Sequence, residues 1–201
     1  IDELYGSIAE VTKSLEDFRL LAIKNRNELK SMELNIAALR HDEKSVDAEY
    51  LPTIDAEADY KYTNSSLPTV FSQWNAGVYL NWEFFSGYKT DGKKEQTKSA
   101  ILEQLANLQK LKLNITNEVT TAYQTTISQR KSIDIQAASI KLSKENLQLA
   151  QERYKAGLGD MIELNNAQAK YITAKSDFVT TYYDYLISIA KLKQATNQEE
   201  L

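Results

Sequence analysis

The chain has 201 residues, 42% of them hydrophobic and 26% charged, a composition that folds and allows one or two domains. A formal charge of -4 and a pI near 5.2, with lysines and arginines scattered among acids, supply no basic face for phosphates and exclude a general nucleic-acid binder. There is no cysteine, hence no disulfide framework and no thiolate metal site, and no apolar run approaches the ~18 residues of a membrane-spanning helix; a β-barrel stays open.

In chain order, residues 1–14 are mixed, and no signal peptide is visible at Ile1, as in a cytosolic chain, a processed chain or a fragment of a longer one. Ser14 can cap the helix that follows, with Asp17 as an acidic first-turn residue. Leu15, Phe18, Ala22, Leu29, Met32, Ile36, Leu39 and Val46 then keep a three-four spacing, which predicts one helix ending near Tyr50. Pro52 stops it, because proline disfavours helix in the residue before it and donates no backbone hydrogen bond.

The period then changes to two. Ile54, Ala56, Ala58, Tyr60 and Tyr62 point one way, against Asp55, Glu57, Asp59 and Lys61. A loop is expected from Asn64 to Phe71, with Pro68 and Ser66 as turn formers. A second alternating run sets Trp74, Ala76, Val78, Leu80, Trp82 and Phe84 against Gln73, Asn75, Gly77, Tyr79, Asn81 and Glu83. The two runs predict an antiparallel hairpin that Ser86 and Gly87 end.

From Tyr88 to about Ala156 the chain has no proline and only Gly92 as a glycine, so it reads as one very long helix. Ile133, Ile140, Leu147 and Tyr154 recur every seventh residue. Ile135, Leu142, Leu149 and Ala156 form a second such series, two positions and therefore about 200° away. A helix with two opposed apolar stripes has a neighbour on each side. Gly157-Leu158-Gly159-Asp160 turns the chain, with Gly157 suited to a left-handed helix end and Asp160 to the next N-cap. The returning helix carries Leu164, Tyr171, Phe178, Tyr185 and Leu192 at seven-residue spacing, with Ala167, Ala174, Tyr182 and Ile189 between them. The residues from Gln194 to Leu201 read as a polar, loosely held tail.

A two-stranded hairpin is marginal alone in water. It either packs as a small soluble sheet on the helices or joins a closed barrel in a membrane. The aromatic rings of Tyr60, Tyr62, Trp74, Trp82 and Phe84 near the strand ends, with small residues between, favour the membrane. Asp55, Glu57, Asp59, Asn75 and Glu83 would then face a lumen, and Tyr60, Tyr62, Trp74, Val78, Leu80, Trp82 and Phe84 the lipid. The acids form a row with no histidine or nucleophile among them, and His41, the one histidine, sits between Arg40 and Asp42 on a helix surface. No catalytic, cofactor or metal site is expected.

The order helix, Leu51-Pro52-Thr53, hairpin, Trp82-Glu83-Phe84-Phe85-Ser86-Gly87, long helix, Tyr154-Lys155-Ala156-Gly157 and returning helix resembles the TolC-like outer membrane efflux proteins over about Ser14 to Thr196. The resemblance implies a mainly α fold with a β-hairpin: long antiparallel coiled-coil helices forming a periplasmic α-barrel (15–51 and 88–196) and two strands (52–87) given to an oligomeric transmembrane β-barrel. It makes 1–14 a linker or equatorial segment and 197–201 a polar tail. Family subunits contain two such repeats, and this sequence resembles one, more like the second, so a fragment or half of a longer subunit is expected.

What the resemblance implies for function is a passive conduit of a tripartite efflux or type I secretion system: a homotrimer of the full-length subunit in the outer membrane and periplasm of a Gram-negative bacterium, in contact with outer membrane lipid. It implies a periplasmic adaptor (membrane fusion) protein and an inner-membrane pump as partners. Tyr154, Glu163 and Asn166 match gate positions, Glu163 an acidic one and Asn166 one where a second acid often stands. Ala156, Gly157, Leu158 and Gly159 match the adaptor-docking tip, with Gly159 where a locking arginine can stand. Tyr154 also fits simple heptad packing, and Glu163 a first-turn acid favoured by the helix dipole. The alternative from another class is a soluble periplasmic coiled-coil adaptor or scaffold.

Overall fold

The first helix begins where Ser14 can cap it. In the computed structural model, which describes residues 11–64 and 70–198, α1 spans Leu15–Asn25, and Ser14 and Asp17 form a full capping box. The Ser14 hydroxyl accepts from the Asp17 amide, and the Asp17 carboxylate accepts from the Ser14 amide and hydroxyl. The hydroxyl and amide of Ser14 hold the Asp17 carboxyl below its ordinary pKa.

The single helix expected up to Tyr50 is in fact two. Arg26 is extended (φ -66, ψ 119), and α2 covers Asn27–Ala48. Asn25, Arg26 and Asn27 fall in the gap between apolar Ala22 and Leu29, where two low-propensity asparagines hold the helix weakly. Partners distant in sequence offset the break. The Arg26 guanidinium pairs with Glu28 and Glu118, and the Asn197 side-chain amide donates to the Asn25 carbonyl at 3.1 Å.

Strands β1 (Thr53–Asn64) and β2 (Val70–Asn81) pair antiparallel, from Thr53↔Asn81 to Asn64↔Val70. The second strand is displaced from its expected bounds, and the reason lies at Pro52. A proline has no N–H for the ladder, so pairing ends at Thr53 and β2 has no partner after Asn81. Trp82, Glu83 and Phe84 therefore lie outside the strand. At the other end the ladder takes in Asn64, Val70 and Phe71 from the expected loop; the rest of that loop, 65–69, lies outside the described residues, as do 1–10 of the N-terminal segment and 199–201 of the tail.

Between the hairpin and the long helix, the Ser86 carbonyl accepts from the Lys89 amide across Gly87 (φ 63) and Tyr88 (φ 64). Two successive left-handed residues are the pattern of a type I′ turn. Helix α3 then runs unbroken over Lys89–Lys155, 67 residues, and α4 over Met161–Thr196. The expected loose tail is also corrected. Helix continues through Thr196, with Ala195 and Thr196 buried, because the left-handed Asn197 closes the helix end.

The chain divides into two units, 30–109 and the rest. In the unit that holds 11–29 and 110–198, α1, α3 and α4 share a core. Phe18 meets Tyr123 ring to ring at 5.9 Å, and Ile133 packs with Phe178, Tyr185 and Ile189, flanked by Ala137 and Ile140. Buried Thr126, Ser188 and Thr196 donate their hydroxyls to carbonyls of their own helices, so their burial leaves no unpaired donor. Only one stripe of α3 is covered. Ile133 is fully buried, whereas Ile135, Leu142 and Leu149 of the opposed series are 67%, 60% and 55% exposed. In the unit 30–109, Ile36 of α2 and Ile101 of α3 are buried, and Glu49 and Asp47 pair with Lys93 and Lys94.

Candidate functional site

Two places carry the expected functional residues. The first is the turn between α3 and α4. Arg153, Tyr154 and Lys155 are the last residues of α3, Gly157 is left-handed at φ 72, and the Leu158 N–H donates to the Arg153 carbonyl, which Gly159 N–H shares, while the Gly157 N–H donates to the Tyr154 carbonyl. The bonds from Leu158 and Gly157 are those of a Schellman motif, which satisfies carbonyls that a helix end leaves open. Asp160 caps α4 by accepting the Glu163 amide at 2.6 Å.

Glu163 is not a free acid. Its carboxylate lies 3.1 Å from the Arg153 guanidinium, which ties the two helix ends together across the turn. Arg153 was not among the expected gate residues; the available signal was a cation in the last turn of one helix and an acid in the first turn of the next. Gly159 is crowded. A Cβ there would lie 3.3 Å from the Tyr154 amide nitrogen and 3.2 Å from a Glu163 oxygen, so the arginine that the resemblance allows at this position needs its neighbours to give by a few tenths of an ångström. Tyr154, Leu158, Met161 and Ile162 are exposed around the turn. Asn166 lines a groove of about 530 Å³ between α3 and α4, with Ser143, Asn146, Ala150, Glu163 and Lys170.

The second place is the hairpin. Directly opposed residues of an antiparallel pair share a face. The register sets Ile54 with Leu80, Ala56 with Val78, Ala58 with Ala76 and Tyr60 with Trp74, so the two apolar runs make one face, and all of these side chains are exposed. Tyr62 extends that face opposite Ser72. On the other face Asp55 opposes Tyr79, Glu57 opposes Gly77 and Asp59 opposes Asn75. Tyr79, set on this face by alternation but not among the expected lumen residues, covers Gly77 with its ring, and an added Cβ there would meet the Tyr79 hydroxyl at 3.2 Å. Trp82, Glu83 and Phe84 belong to neither face because they follow the strand, and Trp82 instead donates its indole N–H to the Tyr50 carbonyl at 3.2 Å. The Tyr50 hydroxyl donates to Asp91 at 2.7 Å, which raises the phenol's pKa, and Asp47 beside Lys94 raises that ammonium. No described helix is long and apolar enough to cross a membrane.

A family model described as outer membrane efflux protein matches residues 20–198. The chain belongs to the outer membrane efflux protein family. Solved channels of this family share the fold. The chain is similar to the CmeC outer membrane channel of Campylobacter jejuni at 17% identity and TM-score 0.81, with 97% of this chain and 46% of that one covered. For the open-state MtrE channel of Neisseria gonorrhoeae the figures are 16%, 0.80, 95% and 43%, and for CusC they are 11%, 0.86, 97% and 48%. The chain thus spans less than half the length of these structures, as one half-size repeat. No significant match was found among curated proteins. Like its family, the chain belongs to the outer membrane and periplasm of Gram-negative bacteria, and the soluble-adaptor alternative is not favoured.

Proposed function

We propose that the chain is one repeat of an outer membrane channel subunit, a passive conduit that carries exported solutes and performs no chemical step. The observation that carries this reading is the hairpin. Its two strands pair in a register that leaves one apolar face bare and sets Asp55, Glu57 and Asp59 on the other. Backbone at membrane depth needs a closed barrel, which two strands cannot make, so the hairpin needs strands from other repeats or subunits. Tyr60, Tyr62, Trp74, Val78 and Leu80 then face lipid, and Asp55, Glu57, Asp59 and Asn75 face the lumen. Trp82, Glu83 and Phe84, which follow the strand, lie at the membrane boundary.

The exposed Ile135, Leu142 and Leu149 stripe supports side-by-side packing of such subunits, as a homotrimer of the full-length chain. At the turn, Tyr154, Glu163 and Asn166 act as the gate, and Ala156, Gly157, Leu158 and Gly159 dock the hairpin of a periplasmic adaptor protein that couples the channel to an inner-membrane pump. The Arg153–Glu163 pair lowers the free negative charge at that gate. The experiment is solution behaviour followed by conductance. A trimer that requires detergent and conducts cations in a planar bilayer is expected; a monodisperse monomer without detergent overturns the reading.

A further inference from the structure

Just past the end of β2, the structure holds a pocket of about 400 Å³ walled by the aromatic rings of Tyr50, Phe84, Phe85 and Tyr88, with Glu83 and Lys89 in the same wall. Phe84, Phe85 and Tyr88 are exposed, and Phe85 and Tyr88 stand edge to face at 5.9 Å. Of the other charged groups in the wall, Lys93 holds Glu49, and the Asp91 carboxylate accepts the Tyr50 hydroxyl, a neutral donor that leaves its charge unpaired. Lys89 and Glu83 have no ion-pair partner among the described residues. With Asp91 occupied by the Tyr50 hydroxyl, Lys89 and Glu83 are the cation and the anion with no partner of their own, and with a rim of bare rings they form a surface for a zwitterion attached to hydrocarbon.

Two further observations bear on the occupant. A strand of 12 residues rising ~3.3 Å each and tilted by about 40° crosses roughly 30 Å, the thickness of a bilayer's hydrocarbon core. The residues that follow it therefore lie at headgroup level. Tyr88 also holds φ 64 without being glycine, asparagine or aspartate, and backbone strain kept in a bulky residue marks a place where its side chain is needed.

The geometry points to a phospholipid site at the membrane boundary, in which Lys89 binds the phosphate and Glu83 the primary ammonium of a phosphatidylethanolamine headgroup while the rings contact the upper acyl chains. It rests on the channel reading, since a headgroup reaches the pocket only if the hairpin spans a membrane. Native mass spectrometry of the detergent-solubilised full-length trimer, with phosphatidylethanolamine, phosphatidylglycerol or phosphatidylcholine added, tests it. The wild type is expected to retain phosphatidylethanolamine over phosphatidylcholine, whose quaternary ammonium donates no hydrogen bond. Lys89→Ala should lower retention by roughly ten-fold, the worth of one charge-assisted hydrogen bond, and Lys89→Arg should restore it. Glu83→Gln should erase the preference over phosphatidylglycerol.

Equal retention by wild type, Lys89→Ala and Lys89→Glu overturns the site. So does cross-linking from Phe84→Cys that finds the pocket filled by a neighbouring protomer. In both cases the trimer still conducts. A protein that forms no detergent-requiring trimer overturns the channel reading as well, and is told apart by that.

Discussion

Gly157 is the residue where backbone and proposed function meet most directly. Its φ of 72 costs any L-residue roughly 1–2 kcal/mol, while nothing lies within van der Waals reach of an added Cβ. Gly157→Ala should therefore lower stability by about 1 kcal/mol without a clash, which thermal unfolding can read. A bulky replacement such as Gly157→Phe should block adaptor docking and export while trimers persist, and normal export in that variant counts against the docking role. Ser14 and Asp17 give a second test. The Asp17 pKa is lowered by the bonds from Ser14, so the stabilisation it brings is complete above the ordinary carboxylate value and is lost as pH falls through the depressed one. Ser14→Ala should cost about 1 kcal/mol at neutral pH, with the difference from wild type shrinking in acid. An unchanged difference at low pH would mean that Asp17 contributes nothing through the cap.

At the scale of elements, α3 and α4 are held by a heptad seam whose buried end is Ile133, Phe178, Tyr185 and Ile189. Phe178 is fully buried, so Phe178→Ala should cost about 3–5 kcal/mol, measured by denaturant unfolding, with the exposed Ile172→Ala as a control of much smaller effect. The seam was legible in the sequence because seven-residue recurrence is a local property of a helix, and so were the caps at Ser14, Gly157 and Asp160. The break at Arg26 was not legible. It is stabilised by Glu118 and Asn197, far along the chain, and local periodicity continues through it. The bounds of β2 were hidden for a related reason: alternation runs on through Trp82 and Phe84, but a strand ends where its partner does, at Pro52 and Thr53.

For the whole molecule, the exposed α3 stripe and the bare hairpin face describe a chain with surfaces for further copies or repeats. Leu142→Asp combined with Leu149→Asp should reduce the trimer fraction in native mass spectrometry while helix content by circular dichroism stays the same. Trimers that persist at wild-type abundance would leave the stripe without a role in assembly.

Element types, the two-faced hairpin and the opposed stripes are written in nearest-neighbour periodicity, and the resemblance to the family in short contiguous motifs, so all were legible in the chain alone. Tertiary structure decided which charges are free. Glu163 is held by Arg153 and Glu49 by Lys93, whereas Lys89 and Glu83 stay without ion-pair partners among the described residues. It also decided which apolar stripe is covered, with Ile133 inside and Ile135 out. Such pairings depend on distances across the fold, and an ion pair leaves no periodic trace in a chain where acids and bases are spread throughout.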